Sequence, residues 1–388
     1  MASRKCAAVV VGAGPAGVAV MGNLLERQIG TIAWIDPSFE SGRVHRKYRE
    51  VPSPLPGLRH SYSALQDRHR ELMSSQCIST LAKLDQEKTC HLHYAADMIR
   101  DLTDGLIKMD PVHAYRGFVT AANLVEKTSN NKWTVRIKRH DSEDELEIET
   151  SRLILCTGSH PTKIPVPIPG LEISRLDLDT VLKPSELAEV LPKSRPSTVA
   201  VIGASHSAIL AILNLVTLAR ESHPHLRIKW FTRHPLRYAE YMDGWILRDN
   251  TGLKGLAADF ARAQLEDGVL DTSPAGQVLE KIDCGDGKEA EMYSKYLPQC
   301  SHIVHAVGFT RDPLPQLVKA GRPFAMEFDH ESGQFHERAG GEAIPGLFGA
   351  GIAFPERVVD PYGNVEYAVG FFKFMKFLKR VTPNWGPA

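Results

Sequence analysis

The chain opens on an uninterrupted apolar run, Ala7-Ala8-Val9-Val10-Val11. Small and β-branched residues without a polar break predict a parallel strand buried on both faces. An apolar helical pattern follows through Val18, Val20, Leu24 and Leu25, and then a second strand, Thr31-Ile32-Ala33-Trp34-Ile35. The same strand–helix–strand order returns at Thr198–Ile202, Ile209–Leu215 and Ile228–Thr232. Further short apolar strands are predicted at Leu153–Leu155, His302–Val307 and Ile344–Phe348. Between them, Val112–Lys138 alternates as strands. Thr134–Lys138 and Leu146–Glu149 read as a hairpin around an acidic tip at His140–Glu145. Helices are predicted at Ala64–Met73, at Ala82–Leu102 and from Gly363 through an apolar stretch to Leu378. Strands alternating with helices make the fold class α/β.

The chemistry begins where the first strand meets its helix. Gly12, Gly14 and Gly17 are spaced G-x-G-x-x-G, with Pro15 and Ala16 between the last two. In such a loop the first glycine allows a tight turn and the second lets the backbone approach a pyrophosphate. The third lets helix and strand pack closely, and the helix N-terminus faces the phosphates. Asp36 ends the second strand, nineteen residues after Gly17, where a carboxylate accepts hydrogen bonds from an adenosine ribose. The basic segment Gly42–Glu50 offers Arg43 and Lys47 either to the adenosine and phosphates or to solvent. Residues 52–79 show little periodicity, and read either as a substrate lid or as plain irregular structure.

Composition narrows the class without naming it. The 388 residues suffice for more than one domain, and 43% hydrophobic with 24% charged content is that of an ordinary globular protein. Lys and Arg number 46, as do Asp and Glu, so no charge excess points to nucleic acid or a membrane surface. No apolar stretch reaches the roughly 18 residues needed to span a bilayer. The six cysteines, Cys6, Cys77, Cys90, Cys156, Cys284 and Cys300, contain no C-x-x-C. That spacing argues for a reducing, cytoplasmic setting and against both a zinc site and a redox dithiol. His302 and His305 fall on opposite faces of their strand and make a poor metal pair, so no metal is expected.

After Leu153–Leu155 come Cys156, Thr157 and Gly158, and then a proline-rich stretch through Pro161, Pro165, Pro167 and Pro169. This resembles the strand-Thr-Gly motif of flavoproteins with two dinucleotide-binding domains. That superfamily includes pyridine nucleotide-disulfide reductases, flavin-containing monooxygenases and N-hydroxylating monooxygenases. The resemblance implies two Rossmann-like domains in three ββα layers, the NAD(P) domain inserted in the FAD domain. The expected extents are residues 1–170 and 301–388 for FAD and 171–300 for NAD(P)H. The second glycine loop departs from the fingerprint: Gly203 is followed by Ser205 at the second position and Ala208 at the third, with His206 and Ser207 between them. Arg233 stands where an acid would bind ribose, which favours the 2′-phosphate of NADP(H), with NAD the alternative. The resemblance further implies that Gly308 marks the return to the FAD domain. It places Gly351 and Ile352 in the last FAD motif, where the family has Gly-Asp. Finally, it sets the segment around Val365 at a helix N-terminus against the flavin.

Disulfide reductase chemistry requires a cysteine pair that this sequence lacks, and the F-x-G-x-x-x-H segment of flavin-containing monooxygenases is missing before Gly203. The expected function is an FAD-dependent, NAD(P)H-using oxidoreductase, a monooxygenase of a small organic molecule. The alternatives are a flavin reductase or oxidase without a dithiol, or a degraded flavoprotein fold serving as a binding module. No side chain stands out as acid, base or nucleophile.

Overall fold

The computed structural model describes residues 4–54, 80, 83, 89–125, 131–142, 144–338 and 341–387. The helix expected at Ala64–Met73, and with it the lid reading, lies outside the described residues.

The first domain is built on a sheet whose parallel centre runs Val112–Val125, Ile32–Asp36, Ala8–Val11, Leu153–Leu155 and Ala343–Gly349, in that order. One face is covered by the helices Pro15–Glu26, His93–Leu106 and Phe371–Val381, which pack around Val10, Trp34 and Ile154. The other face, carrying Val9, Ala33 and Ile35, is covered by Trp133, Val135, Ile137 and Ile148 of an antiparallel layer. That layer is the expected hairpin, with Lys132–Arg139 paired to Glu145–Thr150. Three layers result, because strands apolar on both sides must bury both.

The second domain holds five parallel strands in the order Ser174–Arg175, His302–His305, Ser197–Ile202, Leu226–Thr232 and Leu279–Asp283. His302–His305 pairs with Val199–Ile202, so this domain extends past the expected boundary at residue 300. Two short strands, Ser159–Pro161 and Phe309–Arg311, pair antiparallel and carry the chain out to the second domain and back. The inserted topology is thus as expected, with the return crossing at Phe309.

Two helices differ from expectation. The helix foreseen at Ala82–Leu102 is interrupted by a strand Thr89–His91 that pairs with Pro52–Pro54. Lys83 is helical, a helix His93–Leu106 follows the strand, and residues 82 and 84–88 lie outside the described residues. The last helix begins at Phe371. Val365 lies instead on the strand Val365–Ala368, paired with Glu356–Val359.

Candidate active site between two dinucleotide domains

A cavity of about 2050 Å³ lies between the domains. Ligand pockets usually run to roughly 300–1,000 Å³, so this one has room for an extended dinucleotide and a second ligand. Its wall at one end is the first glycine loop, with Gly12, Gly14, Pro15, Ala16, Asp36 and Arg43. Gly17 is buried behind them. Thr157 and Gly158 line its middle. Tyr241, Met242, Trp245, Asp249, Asn250 and Lys254 enter from the second domain, and Ile352, Glu366 and Lys373 from the last part of the chain. Within Leu236–Gly255, a stretch of aromatic rings, charges and glycine turns, residues 241–242, 244–246, 249–250 and 254 thus face the site.

The glycine loop is shaped to hold an anion. Gly14 caps the helix Pro15–Glu26 with no side-chain bond, which leaves first-turn N–H groups for a ligand. Gly12 sits at φ +103°, and a Cβ there would lie 2.3 Å from the Cys156 carbonyl. The loop therefore closes on the strand end only with glycine at this position. Asp36 is buried, with one oxygen accepting from the Ala13 N–H at 2.7 Å and the other from Ser38 at 2.9 Å and Phe39 at 2.7 Å. A carboxylate has about four acceptor sites, so one remains for a ribose hydroxyl. The Thr157 Oγ1 is buried with no protein partner, and a cavity-lining hydroxyl in that state fits a ligand that bonds it. These features fit FAD along this wall.

The two basic candidates part company. Arg43 lines the cavity, but its guanidinium is ion-paired to Asp179 of the second domain and lies 3.4 Å from the Tyr48 hydroxyl. Tyr48 itself donates to Asp179 at 2.9 Å, and burial pushes its phenol up to about 12. Lys47 is off the cavity wall and close enough to Glu186 to influence its charge. Arg46, which the sequence reading passed over, is the neighbouring cation on the wall.

Several other expected residues stand away from the cavity. Gly203, Ser205, His206 and Ser207 lie at the carboxyl edge of the second sheet, where Ser205 caps the helix His206–Glu221 without a side-chain bond. Burial, reinforced by Lys254, holds the His206 imidazole below its ordinary range. Arg233 is 59% exposed, with Nη1 3.8 Å from Glu289 Oε2. Gly308 and Val365 are also off the wall. Gly351 lies behind Ile352, and a Cβ on it would come within 2.4 Å of the Ala16 Cβ.

At the opposite end, sequence reading marked Asp249 and Asn250 as part of a contact loop but missed Lys373, which joins them in a polar cluster. Lys373, on the first turn of the last helix, bonds Asp249 Oδ2 at 2.7 Å and Asn250 Oδ1 at 2.5 Å. Burial holds the Lys373 amine below its usual value, although Asp249 opposes this. Nothing in the local pattern around Lys373 marks it, because its partners lie more than 120 residues away.

The family model for pyridine nucleotide-disulphide oxidoreductase matches residues 7–223. The chain belongs to this family. It is 63% identical over 390 residues to monooxygenase AgnR1 of Paecilomyces divaricatus, with 99% of each chain covered. In fold it is similar to bacillithiol disulfide reductase from Staphylococcus aureus, with TM-score 0.53, 13% identity and 98% of each chain covered. It is also similar to L-lysine 6-monooxygenase from Pseudomonas syringae, with TM-score 0.51, 12% identity, and 98% of this chain and 99% of that one covered. The expected class, an oxidoreductase with two dinucleotide-binding domains, is the class of this chain. The sequence carries no C-x-x-C pair of the kind the family's name calls for. Cys156 lines the cavity without a cysteine neighbour in sequence, and burial pushes its thiol up. No described helix is long and apolar enough to cross a membrane.

Proposed function

We propose that the protein is an FAD-dependent, NADPH-using monooxygenase of a small organic molecule. The observation that carries this reading is the one cavity wall shared by the uncapped glycine loop, the unpartnered Thr157 hydroxyl and the aromatic hairpin of the second domain. The similarity to a named monooxygenase along the whole chain, and the lack of a dithiol in the sequence, favour oxygen over a disulfide as the acceptor.

In this reading Gly12, Gly14 and Ala16 receive the FAD pyrophosphate while Gly17 lets the helix pack close behind them. Asp36 takes a ribose hydroxyl, and Thr157 and Gly158 the flavin side of the molecule. Gly203, Ser205, Ser207 and Arg233 hold NADPH at the second sheet. When bound, FAD supplies hydride acceptance from nicotinamide and electron transfer to oxygen. The protein contributes orientation: Tyr241, Met242 and Trp245 close the apolar side of the cavity, while Lys373, Asp249 and Glu366 hold its polar end. The cytoplasmic setting expected from the cysteines belongs to the same reading.

The test is an anaerobic absorbance spectrum of the purified protein before and after NADPH or NADH, followed by turnover under ¹⁸O₂. Flavin bands that bleach faster with NADPH, and one labelled oxygen in an organic product, are expected. Protein that is colourless and takes up no added FAD overturns the reading. NADPH oxidation that only ever yields hydrogen peroxide, across a broad panel of small molecules, replaces monooxygenase by oxidase.

A further inference from the structure

The two glycine loops share a device that neither fingerprint contains. Trp34 donates its indole N–H to the Gly12 carbonyl at 2.9 Å, and Trp230 donates its own to the Gly203 carbonyl at 2.7 Å. The placement is equivalent in both domains. Trp34 pairs with Val10, two residues before Gly12, and Trp230 pairs with Val201, two residues before Gly203. Both indoles are fully buried. We propose that Trp34 and Trp230 are positioning residues, each fixing the peptide plane of its own glycine loop so that the N–H groups beyond it face the dinucleotide.

The physical case rests on where the loop is soft. Gly12 and Gly203 sit at φ +103° and +131°, so backbone freedom in each loop is greatest there. A carbonyl left to rotate can turn its oxygen toward a phosphate, which repels it. The indole holds that oxygen on the protein side, so ordering is settled before the ligand arrives. A Cβ on Gly17 would come within 1.9 Å of the Gly12 oxygen and displace this acceptor, which gives the third glycine a second reason to be small.

The two clamps are unequal. In the first loop the same peptide is held from its other side, because Asp36, two residues after Trp34, accepts from the Ala13 N–H at 2.7 Å. In the second loop the residue two after Trp230 is Thr232, whose hydroxyl donates to the His234 carbonyl instead. Trp230 therefore carries its loop without a carboxylate counterpart, and its loss is the costlier one.

The inference rests on the reading of the first loop as the FAD site and the second as the NADPH site. The experiment compares Trp34→Phe with Trp230→Phe, which keep an aromatic ring and remove the donor together with the pyrrole part of the indole. For Trp34→Phe the FAD dissociation constant is expected to rise about tenfold, with KM for NADPH at saturating FAD within about twofold of the parent. For Trp230→Phe, KM for NADPH is expected to rise by more than tenfold, with FAD affinity kept. Equal weakening of both sites by either variant means a structural role and overturns the proposal, as does no change in either. Should Trp34→Phe fail to fold, Trp230→Phe alone still decides, since its two readouts are expected to diverge. A parent protein that binds no FAD is the separate result that sinks the functional reading, and this inference falls with it.

Discussion

Glu366 accepts hydrogen bonds from both the main-chain and the side-chain N–H of Asn250, at 2.9 and 3.1 Å, across the domain boundary. Its other oxygen takes the Thr251 hydroxyl. A carboxylate 8% exposed and bonded three times within a neighbouring domain is a joint between the two. Glu366→Gln keeps the shape but removes the charge, at a cost of about 1–3 kcal/mol to domain contact. Flavin content is expected to hold while NADPH-driven turnover falls. Turnover at the parent level with this substitution would refute the joint.

Gly351 and Gly308 make a matched pair of tests. Both have positive φ, at +91° and +104°, but a Cβ on Gly351 meets Ala16 at 2.4 Å while one on Gly308 meets nothing within 4 Å. Gly308→Ala is expected to cost only the left-handed strain, about 1–2 kcal/mol. Gly351→Ala adds overpacking of about 1–3 kcal/mol and pushes on the helix start that faces the cavity. A lower melting temperature together with lost flavin is expected only for the second.

Arg233 is the charge expected to choose between the two nicotinamide cofactors. Arg233→Ala should raise KM for NADPH about tenfold and leave KM for NADH nearly as it was. Equal changes in both would assign the arginine to its contact with Glu289, 3.8 Å away.

His305 governs part of the acid sensitivity. Burial, helped by Arg175, lowers its imidazole to about 4, so the folded protein holds it neutral. The unfolded chain, near the ordinary 6.5, binds the extra proton between those two values. Stability is therefore present above pH 6.5 and is lost as pH falls toward 4. Replacing His305 by Gln should flatten the unfolding midpoint across that window, as followed by urea melts at several pH values.

The glycine loop, Asp36 and the strand-helix order were legible because their physics is local: turn, spacing and apolar run occur within 30 residues. The domain boundary was not. Nothing within His302–His305 says which sheet it joins, and its partner, Ser197–Ile202, lies a hundred residues earlier. Val365–Ala368 was misread as the opening of a helix for a sharper reason. It alternates, but inverted, with Val365 and Tyr367 exposed and Glu366 and Ala368 buried. Only the distant Asn250 and Thr251 make it favourable to turn the charge inward. Lys373 was missed for the same reason.

The strand Ala343–Gly349 pairs with Leu153–Leu155 and completes the first parallel sheet. During synthesis that sheet stays one strand short until residues 343–349 have been made. All five strands of the second domain, ending at His305, have by then already been made. Domains fold as units once their residues are available, so the second domain can mature while the first is still waiting for its last parallel strand. A product cut short before Ala343 lacks Ala350, Ile352, Glu366 and Lys373 of the cavity wall. The place of one strand in the chain thus makes closure of the first sheet the later of the two domains' folding events.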